Sequence, residues 1–91
     1  HLLITVMVIV LSFLFGLNVY EWIAIVFSIG FVIATEIINS AIEDICNFIH
    51  PGKDDGIKKI KDLSAAAVLV SAITAFTIGL IIFLPKILNW L

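Results

Sequence analysis

Two breaks in an otherwise apolar chain set its layout. Residues 2–17, 22–35 and 65–84 carry no charged side chain. A helix needs about 20 apolar residues, within a working range of roughly 17–25, to cross the hydrocarbon core of a bilayer. The third run meets that length outright and the first is marginal. The second meets it over residues 22–49 only if the polar groups in its last third face protein rather than lipid. The pattern therefore predicts an all-α integral membrane protein, one domain over residues 1–91. Its transmembrane helices are expected over about 1–17, 22–49 and 64–84, with a polar loop over 50–62.

The break at His50-Pro51-Gly52 is a stop, because proline cannot continue a helix and glycine supplies the turn. Residues 53–61 then read as a polar segment, with a helical turn from Gly56 onward. The third helix is expected to begin near Asp62 or Ser64, whose side chains can cap it, and to end at Pro85. Ala67, Ser71, Ala75 and Gly79 recur every fourth position and predict a ridge for close helix approach in lipid. The first run lacks the positive flank and small-residue exit of a signal peptide, so a retained helix is expected.

Inside the second run, Glu36, Asn39, Ser40 and Glu43 fall on one stripe of a helix, and Asn47 continues it one turn later. A carboxylate within a membrane segment costs roughly 2.5–3.5 kcal/mol on insertion scales, so it marks a functional site by default. The bland alternative is that these groups pair across helices as polar glue. Ser40 fits that alternative better, and Asp44 reads as solvated near the interface.

Composition agrees with a lipid solvent: 63% hydrophobic and 13% charged, with a mean hydropathy of +1.27. The formal net charge of −2 says little. Its distribution says more, since Lys53, Lys58, Lys59 and Lys61 crowd the second break and only Lys86 lies elsewhere. Positive-inside bias puts that loop and the N-terminus in the cytoplasm and the C-terminus outside. Tyr20, Trp22 and Trp90 suit an interfacial aromatic belt. The lone Cys46 excludes an intrachain disulfide and reads as a packed thiol.

No phosphate-binding glycine loop, H-E-x-x-H pair or paired-cysteine metal motif is present. Glu36 and Glu43 are two turns apart, ~10.5 Å along the axis, too far to share a proton or one ion. They suit different jobs at different depths. The deeper Glu36 sits where water is scarce, at the depth a general base acting on a lipid hydroxyl would need. The shallower Glu43 is placed to hold Mg²⁺, which takes one or two carboxylates plus phosphate oxygens and waters. Lysines at that level would complete a clamp on a triphosphate, and phosphoryl transfer depends mainly on positioning and charge stabilisation.

The run E-I-I-N-S-A-I-E at 36–43, then Lys61-Asp62 and the small residues Ala65, Ala66 and Ala67, resembles the prokaryotic diacylglycerol kinase family and its E-x-x-N-[ST]-A-I-E hallmark. The segment from Ile78 to Lys86 is similar to the Gram-positive branch, whose members prefer undecaprenol. The resemblance implies a small homotrimeric, multi-pass kinase of the cell (inner) membrane with its active site facing the cytoplasm. It would move the γ-phosphate of ATP to a lipid alcohol, most plainly undecaprenol, with Mg²⁺ as cofactor and no nucleic-acid partner. Glu36 matches the catalytic base and a substrate-binding position, and Glu43 the metal and ATP ligand. Asn39 and Ala65 match substrate-binding positions. Lys61 and Asp62 match the ATP-binding pair, and Gly52, Lys53 and Asp54 align with a nucleotide-contacting stretch.

The chain departs from the family pattern in three places. Asn47 stands where the family usually has Asp, and Gly-Lys-Asp at 52–54 replaces an acidic-x-His pattern. Family members also begin with an amphipathic surface helix that carries another metal-binding Glu, and His1 matches the last residue of that segment. These 91 residues alone are therefore expected to show weak or absent kinase activity. The competing expectations are a diacylglycerol kinase, or a non-enzymatic membrane helix module with a buried carboxylate. The second would have no use for Lys61-Asp62 or for a second carboxylate at the membrane surface.

Overall fold

Local signals set each helix boundary in the computed structural model, which describes residues 2–91. Helix α1 (Leu2–Phe15) stops at Gly16, whose φ of 67° is a left-handed conformation that favours a residue without Cβ. Asn18 then caps α2 (Val19–Ile49) in a reciprocal box with Glu21. Its Oδ1 accepts from the Glu21 N–H at 2.9 Å, and its own N–H donates to Glu21 Oε1 at 3.0 Å. At the other end His50 turns extended ahead of Pro51 and closes α2. Asp54 caps α3 (Asp55–Trp90), its Oδ2 accepting from the Ile57 N–H at 3.1 Å. No strand occurs among the described residues.

Two boundaries differ from the sequence reading. Helix α3 begins at Asp55, not near Asp62 or Ser64, so the connection is only residues 50–54 rather than 50–62. Asp54 is the cap that was missed, and the polar turns it starts are held by a Lys58–Asp62 pair at 3.0 Å, four residues apart. Nor does Pro85 end the helix, which runs on to Trp90. An internal proline removes one N–H and leaves the helix free to continue beyond it. The turn past Pro85 is fastened to α2 by a half-buried ion pair, Lys86 Nζ to Glu21 Oε1 at 3.1 Å.

Helices α2 and α3 lie antiparallel. Partners run in opposite order along them: Glu21 with Lys86, Thr35 with Ser71, Asn39 with Ser64 and Asn47 with Lys61. One series of buried and half-buried positions on each helix follows alternate steps of three and four. On α2 they are Ile25, Ser28, Val32, Thr35, Asn39, Ile42 and Cys46; on α3 the matching series runs 57, 61, 64, 68, 71, 75, 78 and 82. That is the seven-residue seam of paired helices. It also corrects the expected ridge: Ser71 is buried and Ala75 and Gly79 are half-buried, but Ala67 is exposed. A strict four-residue step drifts ~40° per turn around a helix, so it cannot stay on a seam.

The main apolar cluster sits at the end where α1 turns into α2, with Leu17, Ile25 and Ile82 at its centre and Val8, Trp22 and Phe83 around it. Edge-on ring contacts tie the three helices there, Phe13 to Trp22 at 5.0 Å and Phe15 to Phe83 at 6.2 Å. Most other large apolar side chains point outward, Phe48 92% and Ile81 68% exposed among them. An apolar surface of that extent is matched to lipid rather than water. By length and composition α2 and α3 can each cross a membrane, while α1, with 14 residues, is shorter. The molecule measures 53 × 20 × 17 Å. Its long axis exceeds the ~40–45 Å of a bilayer with headgroups, so the polar end of the α2–α3 pair can project beyond the hydrocarbon.

Candidate functional site

Polar groups gather where the second half of α2 faces the first half of α3. Deepest is the Thr35 and Ser71 layer, whose hydroxyls meet at 2.7 Å. Each also lies near a carbonyl of its own helix, Thr35 Oγ1 at 2.9 Å from Val32 and Ser71 Oγ at 2.7 Å from Val68. Two protons serve these three contacts, so one hydroxyl donates across the seam while the other bonds back. Glu36 follows Thr35 on the flank of the seam and is half-buried.

One turn further along, Asn39 is fixed from the opposite helix. The buried Ser64 hydroxyl donates to Asn39 Oδ1 at 2.6 Å, and Asn39 Nδ2 reaches Glu43 Oε1 at a long 3.4 Å. Ser64 is thus not the cap of α3 but a seam residue, seven positions before Ser71. Glu43 is exposed, with its second oxygen available to a ligand. Beyond it Lys61 Nζ donates to Asn47 Oδ1 at 2.6 Å and closes the polar end of the pair.

The remaining predicted site residues are spread around this core. Asp62 is exposed and paired with Lys58, on a shallow groove of ≈ 430 Å³ lined by Asp55, Lys58, Lys59, Asp62 and Leu63 of α3 alone. Asp54 serves as the cap of α3. Gly52 offers its carbonyl 3.2 Å from His50 Nδ1, and Lys53 is exposed beside it. Ala65 is exposed on α3, off the seam. Ser40 and Asp44 are exposed as well, and Cys46 is packed in the seam. His1, read as the end of a preceding segment, lies outside the described residues.

A divalent ion would find a small donor set. Among the described residues no three His, Cys, Asp or Glu side chains converge. Asn39 Oδ1 is occupied by Ser64, which leaves the Glu43 carboxylate as the oxygen donor. That fits Mg²⁺, which is commonly bound through one or two carboxylates with phosphate oxygens completing the shell. Sequence reasoning missed Ser64 as the partner of Asn39 and Asn47 as the partner of Lys61. The signal that finds Ser64 is the alternating three-four spacing from Ile57 through Lys61, Ser64 and Val68 to Ser71.

The chain is similar to known proteins along most of its length. The family model described as prokaryotic diacylglycerol kinase matches residues 1–83. The undecaprenol kinase of Bacillus subtilis (strain 168) is 39% identical over 80 residues, which is 88% of this chain and 65% of that enzyme. No solved structure matches at a significant level. With a polar seam built on the E-x-x-N-x-x-x-E run and the family pattern spanning nearly every residue, the chain belongs to the prokaryotic diacylglycerol kinase family.

Proposed function

We propose that the protein is an integral membrane lipid kinase that transfers the γ-phosphate of ATP to a lipid alcohol, with undecaprenol preferred over diacylglycerol. The observation that carries this is the depth order along α2. A half-buried carboxylate at Glu36 is followed by the Ser64-fixed amide of Asn39, then the exposed carboxylate of Glu43, then Lys61 at the polar end. The preference for undecaprenol rests on the likeness to the Bacillus subtilis enzyme.

In this reading Glu36 takes the proton of the lipid hydroxyl as that oxygen forms its bond to the γ-phosphorus. The bond from that phosphorus to the bridging oxygen breaks, and ADP leaves with the electron pair. Glu43 would hold Mg²⁺, whose chemistry when bound is to neutralise charge on the triphosphate. Lys61 supplies a further positive charge at the phosphates, with Asp62, Gly52, Lys53 and Asp54 as the surrounding nucleotide contacts. Asn39 and Ala65 face the lipid acceptor. We place α1, α2 and α3 across the cell (inner) membrane, with the α2–α3 connection and the opening turns of α3 in the cytoplasm on the strength of the four lysines they carry between them. A homotrimer would cover part of the exposed helix surface.

The test is Mg²⁺-dependent transfer of labelled phosphate in bicelles by the full-length protein, offered undecaprenol and diacylglycerol at equal concentration. Undecaprenol should take most of the label, and Glu36→Gln should abolish transfer while lipid still binds. Full activity in that variant would remove Glu36 as the base. Absence of any Mg·ATP-dependent thermal stabilisation would instead favour a non-enzymatic helix module.

A further inference from the structure

We infer that Asn47 is a positioning residue: it tethers Lys61 without neutralising it, and so keeps the full ammonium charge available to the phosphates of a nucleotide. The inference rests on the kinase reading above and deepens it. Lys61 Nζ donates to Asn47 Oδ1 at 2.6 Å across the seam, from a half-buried lysine to an exposed amide. Among the described residues Lys61 has no carboxylate within 4.0 Å, and its neighbour Asp62 is already taken by Lys58. The two lysines thus differ in kind. Lys58 is paired with a carboxylate on its own helix, while Lys61 is held by a dipole that fixes its direction and leaves its charge intact.

An ammonium has three donors, and the amide uses one. The other two stay free for phosphate oxygens, one turn of α2 beyond Glu43, where the metal-bound triphosphate would lie. A carboxylate in place of the amide has almost the same shape and would make a stronger, charge-assisted bond to the same lysine. It would tighten the helix pair and weaken the phosphate clamp together. A purely structural tether would tighten the pair and leave nucleotide binding alone.

That opposition is the experiment. The full-length protein, Asn47→Asp and Lys61→Met are compared by thermal midpoint without nucleotide, by the dissociation constant of a non-hydrolysable Mg·ATP analogue at several salt concentrations, and by KM and kcat. In Asn47→Asp the midpoint should hold or rise. Its dissociation constant and KM should increase roughly five- to tenfold, with a flatter salt dependence, as one unit of positive charge is lost from the clamp. The loss should fall on KM rather than kcat. Wild-type affinity in Asn47→Asp would overturn the inference alone, as would a fall in affinity accompanied by a fall in midpoint. Unaltered binding in Lys61→Met, or no nucleotide binding by the wild type, would overturn the kinase reading of Lys61 and the inference with it.

Discussion

Ser64→Ala removes one hydroxyl from the middle of the seam, and its effect can be worked from the contacts it breaks. Ser64 is 8% exposed and donates to Asn39 Oδ1 at 2.6 Å. A typical intramolecular hydrogen bond contributes about 0.5–1.5 kcal/mol net, and an acceptor left buried without a partner loses about 1–3 kcal/mol. Asn39 is only half-buried, so its freed carbonyl can recruit water and the lower end applies. Double-mutant cycles on helix pairs in membranes average about 0.6 kcal/mol with a maximum near 1.7, which bounds the estimate from the other side. The expected loss is therefore ~1 kcal/mol, measured by reversible unfolding in mixed micelles. Ser64→Thr, which keeps the hydroxyl, should lose less. A cycle with Asn39→Ala should show coupling of about 0.5–1 kcal/mol, because the two groups act as one contact. Strict additivity of the two single variants would refute the reasoning, whatever the size of each.

Four further outcomes are expected. Gly16→Ala should destabilise by about 1–2 kcal/mol in the same unfolding assay, the cost of a Cβ at a φ of 67°; no atom lies within 4 Å of the added methyl, so the loss is backbone strain alone. Asp54→Ala should destabilise by about 1 kcal/mol and speed hydrogen exchange in the first turn of α3, since the carboxylate caps the Ile57 N–H. Glu36→Gln should abolish phosphate transfer in the bicelle assay while retaining lipid. Asn47→Asp should raise KM for Mg·ATP without lowering the thermal midpoint.

Much of the helical layout was legible because lipid imposes a coarse rule: charges are excluded from long runs, and their return marks an end. Reading it failed where polar residues continue a helix into water. Asp55, Gly56, Lys58 and Lys59 look like loop by composition, yet they sit in the opening turns of α3, where a single cap at Asp54 suffices. Pro85 misled for the complementary reason, since a break in local hydrogen bonding is tolerated when Lys86 is fastened to Glu21 on the neighbouring helix. The stripe from Glu36 to Asn47 was visible by periodicity. Its partners on α3 were not, because pairing across a seam depends on register, and register is a property of two helices rather than one.

That register has a physical cause in the polar groups themselves. An antiparallel pair with an apolar seam can slide by one heptad and keep its spacing, and in lipid the slid arrangement loses no hydrophobic contact with the solvent. Here four cross-links resist the slip, at Glu21 with Lys86, Thr35 with Ser71, Asn39 with Ser64 and Asn47 with Lys61. They span the whole length of α2, so one heptad of slip would break all of them together and leave Asn39 facing Ser71 or Ile57 in place of Ser64. Ile57 cannot donate a hydrogen bond, and a shift toward Ser71 would carry Lys61 a full two turns, ~10 Å, away from the level of Glu43. The contacts that fix the packing of α2 on α3 therefore also fix which lysine meets the carboxylate at the polar end. Stability and site geometry are set by the same few atoms.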